Sequence, residues 1–147
     1  MIHGVIVDPM RQEEFVASKG SGATLNGKRI RVSASAELKD ASVAGPLLVS
    51  LGAKQLERKL TEIGVKKYNL GSVALDLAYV AAGKIDCVWR DTCDRAAVAA
   101  GIVLVREAGG LCADFSGGAE NFSAGNIVAG NPKCLREFCS LTRKFLF

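Results

Sequence analysis

Three polar residues of this chain stand where predicted helices or strands begin or end, and their side chains could cap a helix or bind a charged group. Ser72, between Gly71 and Val73, precedes an apolar helical pattern. Its hydroxyl could cap that helix, and the N–H groups at a helix N-terminus also suit an anion. Arg90 follows a short apolar strand pattern, where an exposed arginine is the ordinary interpretation. Asp94 precedes an alanine-rich helical pattern and is typical of an N-cap.

The cysteines do not suggest a metal site or a disulfide framework. None of them forms a Cys-x-x-Cys motif, and the only histidine is His3, so a zinc site is not expected. We expect most of the five to be small buried apolar residues and one or two to lie near the surface. They are Cys87, Cys93, Cys112, Cys134 and Cys139.

Size and composition indicate a single globular domain. The chain has 147 residues, of which 49% are hydrophobic and 23% are charged. The net charge of +4 is modest, and its densest clusters, Lys28 to Arg31 and Lys66-Lys67, are short. They indicate a solvated basic face more than a nucleic-acid surface. No apolar run could span a membrane and no signal sequence is evident, so a cytoplasmic protein is expected.

Hydrophobic periodicity predicts strands first and then strands alternating with helices. Short apolar runs separated by Asp8-Pro9 and Asn26-Gly27 predict an antiparallel β meander over residues 1–33. Residues 34–147 then predict an α/β domain with helices over about 51–62, 72–83, 94–108 and from Pro132, the last burying Leu135, Phe138 and Phe145. The opening strand leaves a sheet edge that an oligomer or another segment should cover.

Four stretches of the chain, taken in order, resemble the inositol monophosphatase family. The likeness is nearest to its bacterial extragenic-suppressor branch and is interrupted over about residues 44–67. The resemblance implies a layered α-β-α fold of the sugar-phosphatase type, Mg²⁺-dependent hydrolysis of small phosphate monoesters, and a dimer. The stretches are Gly4-Val5-Ile6-Val7-Asp8-Pro9-Met10-Arg11 through Gly27, Gly71-Ser72-Val73 through Gly83, Val98 through Glu107-Ala108-Gly109-Gly110, and Gly125-Asn126-Ile127 through Pro132.

The resemblance also implies which metal ligands should be present. The family's first metal ligands are an upstream glutamate and the aspartates of an Asp-Pro-(Ile/Leu)-Asp-Gly-Thr loop. Neither motif occurs before Gly4. The Asp8-Pro9 pair is followed by Met10-Arg11 instead of that loop, so it is interpreted as a hairpin turn. A later aspartate, in a Trp-Asp pair, aligns without gaps with Ala97. Asp94 stands three residues earlier, which makes it the candidate metal ligand, with the N-cap as the alternative.

The substrate contacts implied by the resemblance fall on two segments. Gly71, Ser72 and Val73 match the family's Gly-(Ser/Thr)-Ala substrate loop. Arg90 aligns where the family often has a glutamate that contacts substrate. A guanidinium cannot accept hydrogen bonds from a polyol, but it can pair with phosphate.

Three functional hypotheses follow from the resemblance. The first is a phosphomonoesterase domain that is incomplete and inactive alone, completed by an N-terminal half acting in trans. The second is a non-catalytic relative that binds protein or RNA, including the transcription machinery. The third is a truncated or engineered piece with no function of its own.

Overall fold

The computed structural model describes residues 2–34, 37–47, 49–118 and 125–146, with side chains described as far as residue 144. The strands in this part are β1 (His3–Asp8), β2 (Glu13–Ser18), β3 (Gly22–Leu25), β4 (Lys28–Arg29), β5 (Ser42–Ala44), β6 (Lys66–Tyr68), β7 (Cys87–Arg90), β8 (Leu111–Ala113) and β9 (Ile127–Gly130). The α-helices are α1 (Lys54–Ile63), α2 (Val73–Ala81), α3 (Arg95–Glu107) and α4 (Pro132–Leu146).

The first sheet is the antiparallel meander that the sequence predicts, in the order β1-β2-β3-β4. Asp8 forms the predicted turn, because its Oδ1 accepts from the Met10 N–H at 3.1 Å and its Oδ2 from Arg11 Nη1 at 2.9 Å. The last strand of the meander, β4, ends at Arg29, before the predicted end at residue 33. The Val32 N–H donates to the Ala108 carbonyl at 3.0 Å, so this segment bonds to the end of α3 instead of extending β4.

The second sheet is mixed, in the order β6-β5-β7-β9-β8. Strand β5 runs parallel to both β6 and β7, whereas β9 is antiparallel to β7 and β8. Helix α1 connects β5 to β6 and α2 connects β6 to β7. The parallel part of the sheet is therefore made by strand–helix–strand connections, as the alternating pattern predicts.

The described helices and strands form four layers, which are held together by two apolar clusters. Between the sheets, Phe15 and Ala17 of β2 pack with Leu77 of α2 and Leu104 of α3, all almost fully buried. On the far side of the second sheet, Trp89 packs in a second cluster that includes residues of α1 and α4. The order is thus antiparallel sheet, α2 with α3, mixed sheet, α1 with α4, which confirms the α/β class.

Close packing of α2 against α3 depends on a glycine. A Cβ on Gly101 would lie 2.5 Å from Cδ1 and 2.6 Å from Cβ of Leu77, well inside van der Waals contact. The missing side chain lets the two helices approach closely. Since the N-terminus of α2 borders the site described below, this contact helps to fix its position.

The predicted helices are found with shifted ends. The first opens as a 3₁₀ turn, Leu51–Ala53, and continues as α1 until Gly64, whose φ of 93° ends it. In α4, Leu135 and Phe138 are buried as predicted, and Phe145 lies outside the described side chains. The division of the chain near residue 33 stays a prediction. No described helix has the length and hydropathy to cross a bilayer.

Candidate functional site

The carboxyl ends of β6, β5 and β7 lie side by side at one end of the mixed sheet. The three strands are parallel, so the loops that follow them converge there. The loop after β5 leads to α1 on one face of the sheet, and the loops after β6 and β7 lead to α2 and α3 on the other. A crevice at such a switch in loop direction is where open α/β sheets commonly bind ligands.

A cleft of 380 Å³ occupies this crevice. It contains all four residues predicted to contact substrate, although they come from two segments separated in the sequence. The described residues that line it are Pro46, Leu47, Asn69, Gly71, Ser72, Val73, Arg90, Thr92 and Cys93.

Ser72 caps the helix that borders the cleft. Its hydroxyl accepts from the Leu75 N–H at 3.3 Å, which confirms the N-cap interpretation. Gly71, at a φ of 83°, makes the bend that brings the chain into α2. Asn69 holds this bend in place, because its side chain accepts from the Gly71 N–H at 2.6 Å and donates to the Gly45 carbonyl at 2.7 Å.

Arg90 is buried and paired with Asp76 of α2. Arg90 is 8% exposed and Asp76 is 0% exposed, so the interpretation of Arg90 as an exposed strand-end residue is wrong. Arg90 Nη2 donates to Asp76 Oδ2, and Nη1 donates to the Trp89 carbonyl at 2.9 Å. The other carboxylate oxygen of Asp76 accepts from the Leu70 N–H at 3.2 Å.

Two opposing effects act on the Asp76 carboxyl. Burial raises its pKa, and the Arg90 charge together with the Arg90 and Leu70 hydrogen bonds opposes that rise. The pair joins the first turns of α2 to the end of β7. The sequence analysis did not predict this ion pair. Two features could have indicated it: an aspartate inside an apolar helix and an arginine at the end of an apolar strand.

The described lining of the cleft carries no acidic side chain. Arg90 is its only charged residue, and Asp76 compensates that charge. The positive end of the α2 helix dipole remains to favour an anionic group. Hydrogen-bond acceptors for hydroxyl groups are limited to backbone carbonyls and the neutral side chains of the lining.

Asp94 caps α3 from an exposed position outside the described cleft lining. Its Oδ1 accepts from the Ala96 N–H at 3.2 Å, which confirms the N-cap interpretation. Ala96 and Ala97 occupy the exposed first turn of α3, where the resemblance places a Trp-Asp pair. The metal role of Asp94 stays a prediction.

The described residues do not fit a magnesium ion. Mg²⁺ needs several oxygen ligands in near-octahedral geometry. Across residues 2–34, 37–47, 49–118 and 125–146, no group of three or more His, Cys, Asp or Glu residues is placed to hold a metal. Asp76, which lies beside the cleft residue Arg90, is already paired with it. No step through a metal is therefore derived from these residues.

The cysteines are thiols, and most of them are buried as predicted. Cys93 is the half-buried one and lies in the cleft wall. Desolvation raises the pKa of its thiol, and the nearby Arg90 charge opposes this rise. Burial raises the pKa of Cys112 to about 12.

This chain resembles known proteins over nearly its whole length. The profile of the Inositol monophosphatase family matches residues 1–145. The "Nus factor SuhB" of Escherichia coli strain K12 is 43% identical over 139 residues, which cover 90% of this chain and 51% of that protein. The "Inositol-1-monophosphatase" of Mesorhizobium japonicum is 37% identical over 152 residues, covering 98% and 56%.

Solved structures of similar proteins superpose on this chain over almost its whole length. The extragenic suppressor protein suhB of Bartonella henselae superposes with a TM-score of 0.88 at 39% identity, covering 97% of this chain and 58% of that one. An inositol monophosphatase from Thermotoga maritima superposes with a TM-score of 0.87 at 34% identity, covering 98% and 56%. The chain thus spans little more than half the length of the relatives it matches.

Proposed function

Because this chain belongs to the inositol monophosphatase family, we propose that its cleft binds a phosphate monoester and that hydrolysis requires carboxylates from another segment. The observation that carries the first part is the cleft lining. Gly71, Ser72, Val73 and Arg90 meet there with no acidic side chain among the described lining residues. An anionic ester would meet the N-terminus of α2 and the Arg90 side of the cleft, and neither repels it.

The second part rests on the acids of the site. The Asp94 carboxylate accepts the Ala96 N–H as the cap of α3, and the Asp76 carboxylate compensates the charge of Arg90. Family chemistry uses clustered carboxylates to hold magnesium ions, which activate a water and neutralise the phosphate. We therefore expect the N-terminal half of a relative, which carries such carboxylates, to supply the missing ligands.

Catalysis is tested with inositol 1-phosphate as the probe, since relatives carry that activity in their names. Phosphate release is measured for the chain alone and for the chain mixed with the N-terminal half of the Escherichia coli relative, with and without Mg²⁺. Release only in the mixture and only with Mg²⁺ supports the proposal. Turnover by the chain alone contradicts the requirement for another segment, and no release at any ratio rejects the catalytic role.

Binding is tested separately with two variants that match in size and differ in charge. Val73 opens α2 in the cleft wall. Val73→Glu adds a negative charge at a helix N-terminus that tolerates it, and Val73→Gln adds almost the same volume without charge. We expect Val73→Glu to weaken binding of inositol 1-phosphate about tenfold or more, and Val73→Gln to weaken it much less. Equal effects of the two variants would count against an anion in this cleft.

A second candidate function is a non-catalytic domain that binds RNA or transcription proteins. It is favoured by the lysine and arginine residues exposed on the sheet edges, Lys28-Arg29 of β4 and Lys66-Lys67 of β6. Salt-dependent binding of RNA by the chain, lost when Lys28 and Arg29 are replaced by Gln, would support it. No binding at low salt would reject it.

A further inference from the structure

A second cavity, which we call the side pocket, adjoins the cleft on the face of the mixed sheet that carries α1. Its volume is 260 Å³, and it shares Pro46, Leu47 and Asn69 with the cleft lining. Its described lining comes from residues 43–69 and from Trp89. The family resemblance is interrupted over most of that segment, about residues 44–67, so the family does not predict this pocket.

The interior of the side pocket is apolar. Val43 of β5, Leu60 of α1 and Val65 are buried and line it together with Trp89 of β7. An apolar cavity of about 150 Å³ is large enough to bind benzene. The side pocket, at 260 Å³, therefore has room for an aromatic ring with a small substituent.

The charged and amide side chains of the lining already have partners. Lys67 Nζ donates to Glu57 Oε1 at 2.5 Å, so these two charges balance each other. The Asn69 side chain accepts from the Gly71 N–H and donates to the Gly45 carbonyl. The side pocket therefore favours a neutral group, whereas the N-terminus of α2 favours an anion in the cleft.

The Trp89 indole supplies a hydrogen-bond donor to the side pocket. Trp89 is 1% exposed, and no hydrogen bond links its indole N–H to a described residue. Every fully buried side-chain nitrogen or oxygen of the described residues has a partner, so this nitrogen must reach open space. It borders Gly45, where a Cβ would lie 2.8 Å from Trp89 Nε1. Both residues line the side pocket, so the N–H is available to a ligand there.

This lining suits an aromatic ring better than a polyol. Burial of a hydroxyl group without a hydrogen bond is costly, and an inositol ring would bury several of them. The buried walls offer mainly apolar carbon and the Trp89 N–H. A flat ring needs no partner for its carbon atoms, and one acceptor at its edge would satisfy the indole.

We propose that the side pocket binds the group esterified to the phosphate, and that this group is an aromatic ring with a hydrogen-bond acceptor. This inference rests on the proposed function, because the phosphate itself is assigned to the cleft. Pro46, Leu47 and Asn69 border both spaces, so one ligand can extend from the cleft into the side pocket. Leu47 is 80% exposed and forms an open rim between them.

The substrate class is tested by isothermal titration calorimetry of the full chain without Mg²⁺. The three probes are 4-nitrophenyl phosphate, inositol 1-phosphate and inorganic phosphate. We expect 4-nitrophenyl phosphate to bind at least about tenfold more tightly than inositol 1-phosphate. Equal or weaker binding of the aromatic ester overturns the proposal.

The position of the ring is tested by nuclear magnetic resonance without any variant. The chain has one tryptophan, so the indole N–H of Trp89 gives one identifiable ¹H–¹⁵N cross-peak. We expect 4-nitrophenyl phosphate to shift this cross-peak strongly and inorganic phosphate to shift it little. A cross-peak that stays in place at saturating 4-nitrophenyl phosphate overturns the proposal.

A glycine variant tests the side pocket directly. Gly45→Ala places a methyl group against the indole nitrogen and should remove most of the advantage of 4-nitrophenyl phosphate over inositol 1-phosphate. Gly52→Ala is the matched control, because its Cβ meets no atom within 4 Å, and it should keep the advantage. A folded Gly45→Ala variant with the full advantage contradicts the proposal. If that variant does not fold, the Trp89 cross-peak decides.

Failure of this inference differs from failure of the proposed function. If all three probes bind and the aromatic ester has no advantage, only the side pocket assignment is wrong. If the aromatic ester shifts the Trp89 cross-peak but binds equally well to the Val73→Glu and Val73→Gln variants, the phosphate site in the cleft is wrong. If none of the probes binds, both proposals are rejected.

Discussion

Arg90 Nη2 donates a hydrogen bond to Asp76 Oδ2, which joins the end of strand β7 to helix α2 across the buried side of the cleft. The Arg90 side chain is 10% exposed and that of Asp76 is 0% exposed. A charge pair this deeply buried makes each partner depend on the other. Removal of one partner alone should therefore lower the stability of the fold.

Replacement of Asp76 by alanine should leave the Arg90 guanidinium buried without its counter-charge. We expect the free energy of unfolding to fall by about 3–5 kcal/mol, measured by urea denaturation. The double variant Asp76→Leu with Arg90→Met removes both charges and should recover much of that loss. A single variant as stable as the wild type would show that the pair contributes little to folding.

Removal of the Asp94 cap should be mild. Asp94→Ala is expected to lower the free energy of unfolding by about 0.5–2 kcal/mol, because the Ala96 N–H loses its acceptor. Asp94→Ser keeps a capping oxygen and should stay close to the wild type. If Asp94 instead binds metal, the melting temperature would rise with MgCl₂ in the wild type, and both variants would lose that rise.

Substitution at Gly101 should reverse the usual effect of replacing a helical glycine by alanine. Helix propensity alone favours Gly101→Ala by about 1 kcal/mol. The new Cβ would lie 2.5 Å from Leu77 Cδ1, so we expect a net destabilisation of about 1–3 kcal/mol in thermal or urea unfolding.

Gly52→Ala is the matched control, because a Cβ at Gly52 meets no atom within 4 Å. It should leave stability unchanged or slightly raised. A stable Gly101→Ala variant would mean that α2 and α3 can separate at little cost.

Thiol labelling should distinguish Cys93 from the deeply buried cysteines. With the chain folded, we expect iodoacetamide to modify Cys93 first and Cys87 and Cys112 only on unfolding, as read by peptide mass spectrometry. The thiolate is the reactive form and the pKa of Cys93 is raised. Its rate should therefore stay low at neutral pH and increase as the pH rises above the usual thiol range.

The same labelling reports on the cleft. Cys93 lies in its wall, so saturating inositol 1-phosphate should slow labelling of Cys93 if the proposed binding is correct. Labelling of the folded chain that favours Cys112, or is uniform over all five cysteines, would contradict the burial pattern.

The parts of the site that sequence reasoning found are those set by local interactions. Ser72 and Asp94 were recognisable as caps because a cap is decided within the first turn of its own helix. The position of Arg90 at a strand end was also readable, from the apolar run before it. These local features predicted Gly71, Ser72 and Val73 at a helix start and Arg90 at a strand end.

The parts that it missed are set by contacts between distant segments. The Arg90–Asp76 pair joins residues 14 positions apart on different elements, and no periodic pattern specifies it. The strand order could not be predicted from the sequence either. Strand β5 lies between β6 and β7 because α1 and α2 pack on opposite faces of the sheet. The cleft follows from that order.

Trp89 is the only tryptophan of the chain, and it is buried between Phe115 and Phe138 one residue before Arg90. Its carbonyl accepts a hydrogen bond from Arg90, which links the backbone that carries the indole to the cleft lining. The molecule therefore contains its own optical reporter. Its intrinsic fluorescence should be blue-shifted in the native state and should shift to the red on unfolding, without any attached dye.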